Sequence, residues 1–178
     1  LCIQWDVCNE MVAFDGQMPF FTPPGWQDIG AEIAERMKRL GDAVPDDVEL
    51  GIHLCYGDWE AKHFVEPKDM TKMVELANLI DGAIGHNLAY IHMPVPIARD
   101  DEAFFAPMRN LKLRPGTELI LGLVHSDGAD ATRKRIAAAR KYAPHFGIAT
   151  ECGIARQRTA GLVKSLIQVH ADVSRPPA

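Results

Sequence analysis

The chain has 178 residues, 47% of them hydrophobic, and a formal net charge of −5, which is typical of one globular unit. No apolar run approaches the roughly 20 residues that cross a membrane, and no cluster of lysine and arginine suggests a nucleic acid or a membrane partner. The four cysteines are too widely spaced for a disulfide framework, and residues 1–7 do not resemble a signal peptide. We therefore expect a reducing, cytoplasmic location.

Strand and helix patterns alternate along the whole chain. Short apolar runs rich in β-branched residues predict strands, and apolar residues three or four positions apart predict helices. Asp130 is the predicted N-cap of the fourth helix. In chain order we predict a strand at residues 1–7, a loop at 8–26, a helix at 27–40, a strand at 49–56, a helix at 68–80, a strand at 88–97, a short helix at 101–109, a strand at 117–126, a helix at 130–143, a strand at 146–153 and a helix at 159–173.

Five successive strand–helix units predict an α/β fold with a parallel sheet and right-handed crossovers. Two architectures fit this pattern. One is an open doubly wound sheet, and the other is part of an eight-stranded β/α barrel, which five units are too few to close. Both architectures place their chemistry at the carboxyl ends of the strands.

Polar side chains with functional chemistry occur at the carboxyl end of every predicted strand. Because parallel strands end at the same edge of a sheet, we expect these side chains to converge there. Their alternative role is structural, as histidines and cysteines of an ordinary core. The residues are Gln4, Asp6, Glu10, His53, Cys55, His92, His125 and Cys152.

The spacing of His53 and Cys55 predicts that both side chains point to the same face of one strand. Together with Cys152 they would supply one nitrogen and two sulfur ligands, the donor set of a catalytic zinc site with one open position. His92 is the candidate for a fourth ligand. His125 is either a general acid or base, or a core histidine that bonds a backbone carbonyl.

Four segments of the sequence resemble a known family, in the same order along the chain. They are IQWD, GIHLCYGDW, LVHSDG and IATECGIARQR. They resemble the C-terminal barrel of cobalamin-independent methionine synthase and the shorter zinc-dependent thiol alkyltransferases, including coenzyme M methyltransferases. The resemblance implies a β/α barrel related to uroporphyrinogen decarboxylase, with a zinc ion that binds and activates a thiol.

The resemblance also implies roles for individual residues. The family's zinc ligands fall on His53, Cys55 and Cys152, with His92 nearest to the position of its glutamate ligand. Its proton donor falls on His125. The aspartate of its Gln-x-Asp motif, which holds the substrate amino group, falls on Asp6, with Gln4 at the glutamine of the motif. The nearest counterpart of the carboxylate that contacts folate is Glu10.

The family alignment places the chain in the last five strands of an eight-stranded (β/α)8 barrel, as a single domain over residues 1–178. The first three strands would then come from upstream sequence or from a partner chain. We expect a zinc-dependent methyl or alkyl transferase that acts on a small-molecule thiol, with folate as one possible methyl donor. The alternatives are a metal-free lyase of the uroporphyrinogen decarboxylase type and a zinc-stabilised domain without catalytic activity.

Overall fold

Five parallel strands form one sheet, and their order in space is their order in the chain. Each strand is hydrogen-bonded in parallel to the next, from the first pair to the last. The computed structural model describes residues 1–58, 62–150, 152–154, 156 and 158–175. The strands are β1 (Cys2–Val7), β2 (Glu49–Leu54), β3 (Leu88–Pro94), β4 (Glu118–Val124) and β5 (Gly147–Thr150).

Helices connect successive strands, and neighbouring helices pack against one another along the sheet. Two short 3-10 turns, Pro19–Phe21 and Ala106–Asn110, lie within the connections. In the described part of the chain, none of the helices has both the length and the apolar character needed to cross a membrane. The α-helices are α1 (Asn9–Asp15), α2 (Ile29–Asp42), α3 (Thr71–Ala83), α4 (Glu102–Phe105), α5 (Ala129–Arg140) and α6 (Ala160–Ser174).

The strand order distinguishes between the two predicted architectures. A doubly wound sheet reverses its strand order at a switch point. The five described strands show no reversal, since each pairs with its neighbour in sequence. This order is the one found in consecutive units of a β/α barrel. The structure therefore agrees with a partial barrel-like fold, whereas closure of the barrel and the place of these units within it remain predictions.

The two faces of the sheet differ in chemistry. One face, covered by the helices, carries Leu50, Ile52 and Leu54 of β2, all fully buried in the hydrophobic core. The other face, here called the polar face, presents the alternate residues of each strand. It comprises Gln4 and Asp6 of β1, Gly51 and His53 of β2, Tyr90 and His92 of β3, and Glu118, Ile120 and Gly122 of β4.

Two predictions about the helices were wrong. The predicted loop at residues 8–26 contains α1, which forms because Met11, Val12 and Ala13 bury one side of a short helix in the core. Asp130 does not cap α5. That helix begins one residue earlier, with Gly128 at the N-cap in a positive-φ conformation that favours glycine, and Asp130 instead bonds Arg133 within the first turn.

Candidate metal centre

The carboxyl ends of β2 and β5 bring three soft donor side chains together. His53 lies in β2, Cys55 follows β2 directly, and Cys152 comes two residues after the end of β5. The backbone N–H of Cys55 donates to the carbonyl of Val7 at 3.2 Å, which continues the β1–β2 ladder by one residue and fixes the position of the thiol. The sequence prediction that these three residues converge is consistent with this arrangement.

The three donor atoms have the spacing of a metal site. One ligand atom from each of His53, Cys55 and Cys152 lies within 4.8 Å of the others. The two sulfur atoms are 3.5 Å apart. Two thiolates on a tetrahedral zinc ion would be about 3.8 Å apart, given metal–sulfur bonds of about 2.3 Å. The two sulfurs therefore already have nearly the separation that zinc requires, and one imidazole with two thiolates is a donor set that zinc takes.

The imidazole of His53 provides the strongest argument for a bound metal. The residue is 3% exposed, and neither ring nitrogen has a hydrogen-bond partner among the described residues. A buried polar group without a partner costs free energy, so native proteins rarely contain one. A metal bound through one of these nitrogens would give that nitrogen a partner and remove its share of the cost.

The surroundings of the thiols favour the neutral form in the absence of a metal. The backbone N–H of Gly57 donates to the Cys55 sulfur at 3.2 Å. The hydrogen bond with Cys152 by itself lowers the pKa of Cys55, but the neighbouring Cys8 thiol and burial outweigh it and raise that pKa to about 12. Cys55 raises the pKa of Cys152, against the opposing effect of the nearby imidazole of His53. A metal cation would reverse this balance, because it stabilises thiolates.

His92 lies beside the three donors but outside their group. It pairs with His53 across the strands, and the two rings stack with centroids 4.6 Å apart. Burial and repulsion by His53 lower the pKa of His92 to about 3, which keeps the ring neutral. Its Nε2 has no partner in the described part of the chain, and a Cβ on Gly122 would come within 3.1 Å of it. The absence of a side chain at Gly122 thus makes room for this ring.

A cavity of about 230 Å³ adjoins the metal group. Cys152 forms part of its wall, and so does His125, which is 2% exposed. The Nε2 of His125 donates to the carbonyl oxygen of Val95 at 2.7 Å, so this nitrogen carries a proton. The cavity is lined by Gly57, Asp58, Lys62, His63, Glu66, Pro96, Ile97, Ala98, His125 and Cys152.

A buried arginine holds the loop that carries His125. Arg135 in α5 is 1% exposed and donates two parallel hydrogen bonds to Asp127, at 2.6 and 2.8 Å. It also donates to the carbonyl oxygens of Leu123 and Ile97. Its guanidinium lowers the pKa of the Asp127 carboxyl. Because two loops meet at one rigid side chain, the position of His125 beside the cavity is fixed.

Asp6 and Gln4 belong to a hydrogen-bond chain on the polar face. Gln4 donates to Asp6 at 2.8 Å and accepts from the hydroxyl of Tyr90 at 2.8 Å. The ring of Tyr90 lies over Gly51, where a Cβ would come within 2.1 Å of it. Asp6 pairs in register with His53, so its exposed carboxylate is next to the metal group.

Glu10 is not part of this assembly. It lies in the first turn of α1 and lines a second cavity, of about 300 Å³, together with Trp26 and Arg36. The guanidinium of Arg36 stacks 4.6 Å from the centroid of the Trp26 ring. Glu151, which precedes Cys152 in the segment IATECGIARQR, lies outside the described residues.

Sequence reasoning missed three residues around the centre. Cys8 lies beside Cys55, and the hydrogen bond with that thiol lowers the pKa of Cys8. Asp58 and Arg158 form a buried ion pair next to Cys152. Cys8 could have been predicted near the site, because it lies one residue beyond the β1–β2 pairing. Asp58 and Arg158 could not, because no sequence pattern links two residues that are 100 positions apart.

Comparison with solved structures finds two similar chains, and both bear the name of a B12-independent methionine synthase. One, from Shewanella sp. W3-18-1, is a B12-independent methionine synthase in complex with selenomethionine, with 14% identity and a TM-score of 0.63. The other, from Listeria monocytogenes, is assigned as a vitamin-B12-independent methionine synthase, with 15% identity and a TM-score of 0.56. The likeness establishes a related fold.

Each match covers 97% of this chain and 48% of the solved one, so the chain spans about half the length of either enzyme. No family model matches the sequence, and no curated protein matches it either. At this level of identity the fold is shared, whereas the chemistry of the site has to be argued from its own residues.

Proposed function

We propose that this chain carries the zinc site of a methyl- or alkyl-transferase that acts on a thiol substrate, in the manner of B12-independent methionine synthase. The observation that carries the proposal is the group formed by His53, Cys55 and Cys152, with buried donor atoms within 4.8 Å of one another. The related fold of the two methionine synthases supports it.

In this proposal His53, Cys55 and Cys152 hold the metal, and His92 is the candidate for a fourth ligand. Zinc, when bound, lowers the pKa of a coordinated thiol, so that a thiolate is available at neutral pH. Three protein ligands leave a position for the substrate sulfur, whereas four would close the site. The cavity beside Cys152 provides space for the rest of the thiol substrate.

The reaction joins the substrate sulfur to a methyl or alkyl carbon, while the bond between that carbon and the donor breaks. The proton released by the thiol is needed on the leaving group. His125 is the proposed proton donor, because its ring lines the same cavity as Cys152. Its Nε2–H bond to the carbonyl of Val95 holds the ring in place beside the cavity.

Asp6 and Gln4 would orient the thiol substrate. The exposed carboxylate of Asp6 is next to His53 and suits a cationic group such as an amine. Its hydrogen bond from Gln4, which in turn accepts from Tyr90, restricts its orientation. Glu10 remains a proposed contact for a folate-type methyl donor, from a cavity of its own.

The first experiment is elemental analysis of the full chain, purified without added zinc or chelator. We expect about one zinc per chain, the stoichiometry of a single site. Cys152→Ser should lose most of this zinc, whereas Cys2→Ser, which changes an exposed cysteine on the same sheet, should retain it. Equal zinc content in the wild type and Cys152→Ser would refute the proposed site.

A second measurement separates a catalytic site from a structural one. Extended X-ray absorption of the zinc-loaded chain counts the sulfur ligands before and after addition of a thiol. A site with an open position should gain one sulfur, for a total of about three. An unchanged count with four protein ligands would identify a closed, structural site, and absence of metal would favour the metal-free lyase.

A further inference from the structure

Cys152 lies in a segment that contains no helix or strand among its described residues. It follows β5 and precedes α6, and its neighbours Gly153 and Ile154 form a turn. A metal ligand on such a segment needs support from other residues, because a loop alone does not hold a side chain to within the tolerance of a metal site. The support must come from contacts made by residues next to Cys152.

Asp58 and Arg158 form a buried ion pair beside this segment. Their side chains are 5% and 4% exposed, and Nη1 of the arginine is 3.5 Å from Oδ2 of the aspartate. Asp58 is three residues beyond Cys55 and Arg158 is six beyond Cys152, so the pair connects the two segments that carry the thiols. Buried charges of this kind are costly unless they are paired.

The arginine also organises the segment itself. Its Nη1 donates to the carbonyl oxygens of Gly153 and Arg156. The backbone N–H of Arg156 donates to the carbonyl of Gly153 at 2.7 Å, and its guanidinium reaches the carbonyl of Asp58 at 3.4 Å. These bonds tie the turn after Cys152 to the turn after β2.

Gly153 shows how close the two turns are. Its φ is +63°, and a Cβ at this position would lie 1.7 Å from Oδ2 of Asp58. The carboxylate therefore packs directly against the backbone of the residue that follows Cys152. The sulfur of Cys152 is in turn 3.5 Å from the sulfur of Cys55.

We propose that Asp58 and Arg158 are positioning residues for the metal centre: their ion pair holds Cys152 against Cys55. The inference rests on the proposed metal site. It adds two residues that support the site without binding the metal. Residues that orient metal ligands change metal affinity by about 10- to 100-fold when they are substituted.

The test uses Asp58→Asn in the full chain, with cobalt as a coloured substitute for zinc. Two thiolates on cobalt give sulfur-to-metal charge-transfer absorption in the near ultraviolet. We expect the variant to lose about half of this absorption and to bind cobalt at least 10-fold more weakly in competition with a chelator. The matched control is Asp81→Asn, which breaks the pair between the buried Asp81 of α3 and Arg114, ahead of β4, and should leave both quantities unchanged.

A metal-free measurement keeps the inference separate from the metal site. In Asp58→Asn the backbone amides of residues 152–154, 156 and 158 should exchange with solvent at least 10-fold faster, while those of β3 keep their wild-type rates. If this variant does not fold, Arg158→Lys replaces it, because lysine keeps the charge but cannot make all the contacts of the planar guanidinium. Wild-type affinity, absorption and exchange in the folded variant would overturn the inference, whereas a wild type that binds no cobalt would refute the metal site alone.

Discussion

The helix-covered face and the polar face of the sheet are built from alternate residues of the same strands. In β2, Leu50 and Ile52 point to the helices and are fully buried, whereas Gly51 and His53 point to the polar face. Burial of apolar surface stabilises the first face, and hydrogen bonds with close glycine contacts organise the second. Most of the apolar burial and the candidate metal ligand His53 therefore lie on opposite sides of one sheet, and we expect substitutions on the two sides to have different effects.

The largest expected effect is on the helix-covered face. Leu121→Ala removes a fully buried side chain from the core cluster and should lower the free energy of unfolding by about 2–5 kcal/mol. Urea unfolding measures this loss, and cobalt titration under folding conditions should give the wild-type affinity. A folded variant that no longer binds cobalt would show that the two faces are not independent.

A smaller effect is expected on the polar face, at Gly51. A methyl group here would meet the ring of Tyr90, so Gly51→Ala should destabilise the protein by about 1–3 kcal/mol through overpacking. Adding Tyr90→Ala should restore part of the loss, because the two groups then no longer collide. Thermal unfolding of the two single variants and the double variant measures this coupling, and strictly additive effects would contradict the proposed contact.

An ion pair contributes to stability near the carboxyl ends of the strands. The Arg135 hydrogen bonds lower the pKa of Asp127 in the folded protein. The stability they provide is therefore fully present above the ordinary carboxyl pKa of about 3.9, and it is lost as the pH falls through the lower pKa of the folded state. Thermal unfolding between about pH 6 and pH 3 should show a smaller decrease for Asp127→Asn than for the wild type. An equal decrease in unfolding temperature for the wild type and Asp127→Asn would contradict this role of Asp127.

The smallest effect is expected for Tyr90→Phe. The change removes one hydroxyl, and with it the hydrogen bond to Gln4, from a partly exposed side chain. It should cost about 1 kcal/mol or less, because water can replace the bond. Urea unfolding gives the value. A loss as large as that of Leu121→Ala would mean that the polar face contributes to stability as the core does.

The alternation of strands and helices could be predicted because it depends on local periodicity. Pro94 and the apolar run of residues 119–124 mark two of the strands without any tertiary information. Helix α1 could not be predicted in the same way. It is seven residues long, begins after an N-cap residue without a capping side-chain bond, and is stabilised by the core it packs against.

The candidate site could be predicted in outline from the rule that parallel strands end at one edge. From that rule we predict that His53, Cys55 and Cys152 lie close together, and in the structure their ligand atoms are within 4.8 Å of one another. It could not give the direction of the His92 ring, which depends on the space above Gly122 in another strand. The Asp58–Arg158 pair could not be predicted for the same reason, since it forms only when the sheet has formed.

The separation of the two thiols along the chain has a consequence for folding. Cys55 and Cys152 are 97 residues apart, and the three strands β3, β4 and β5 must be in place before their sulfurs meet. Contacts of such long range form late, because closing a long loop costs entropy before the contact is gained. During refolding, the colour of bound cobalt should therefore lag behind the far-ultraviolet signal of the helices, and its rate would report the completion of the sheet.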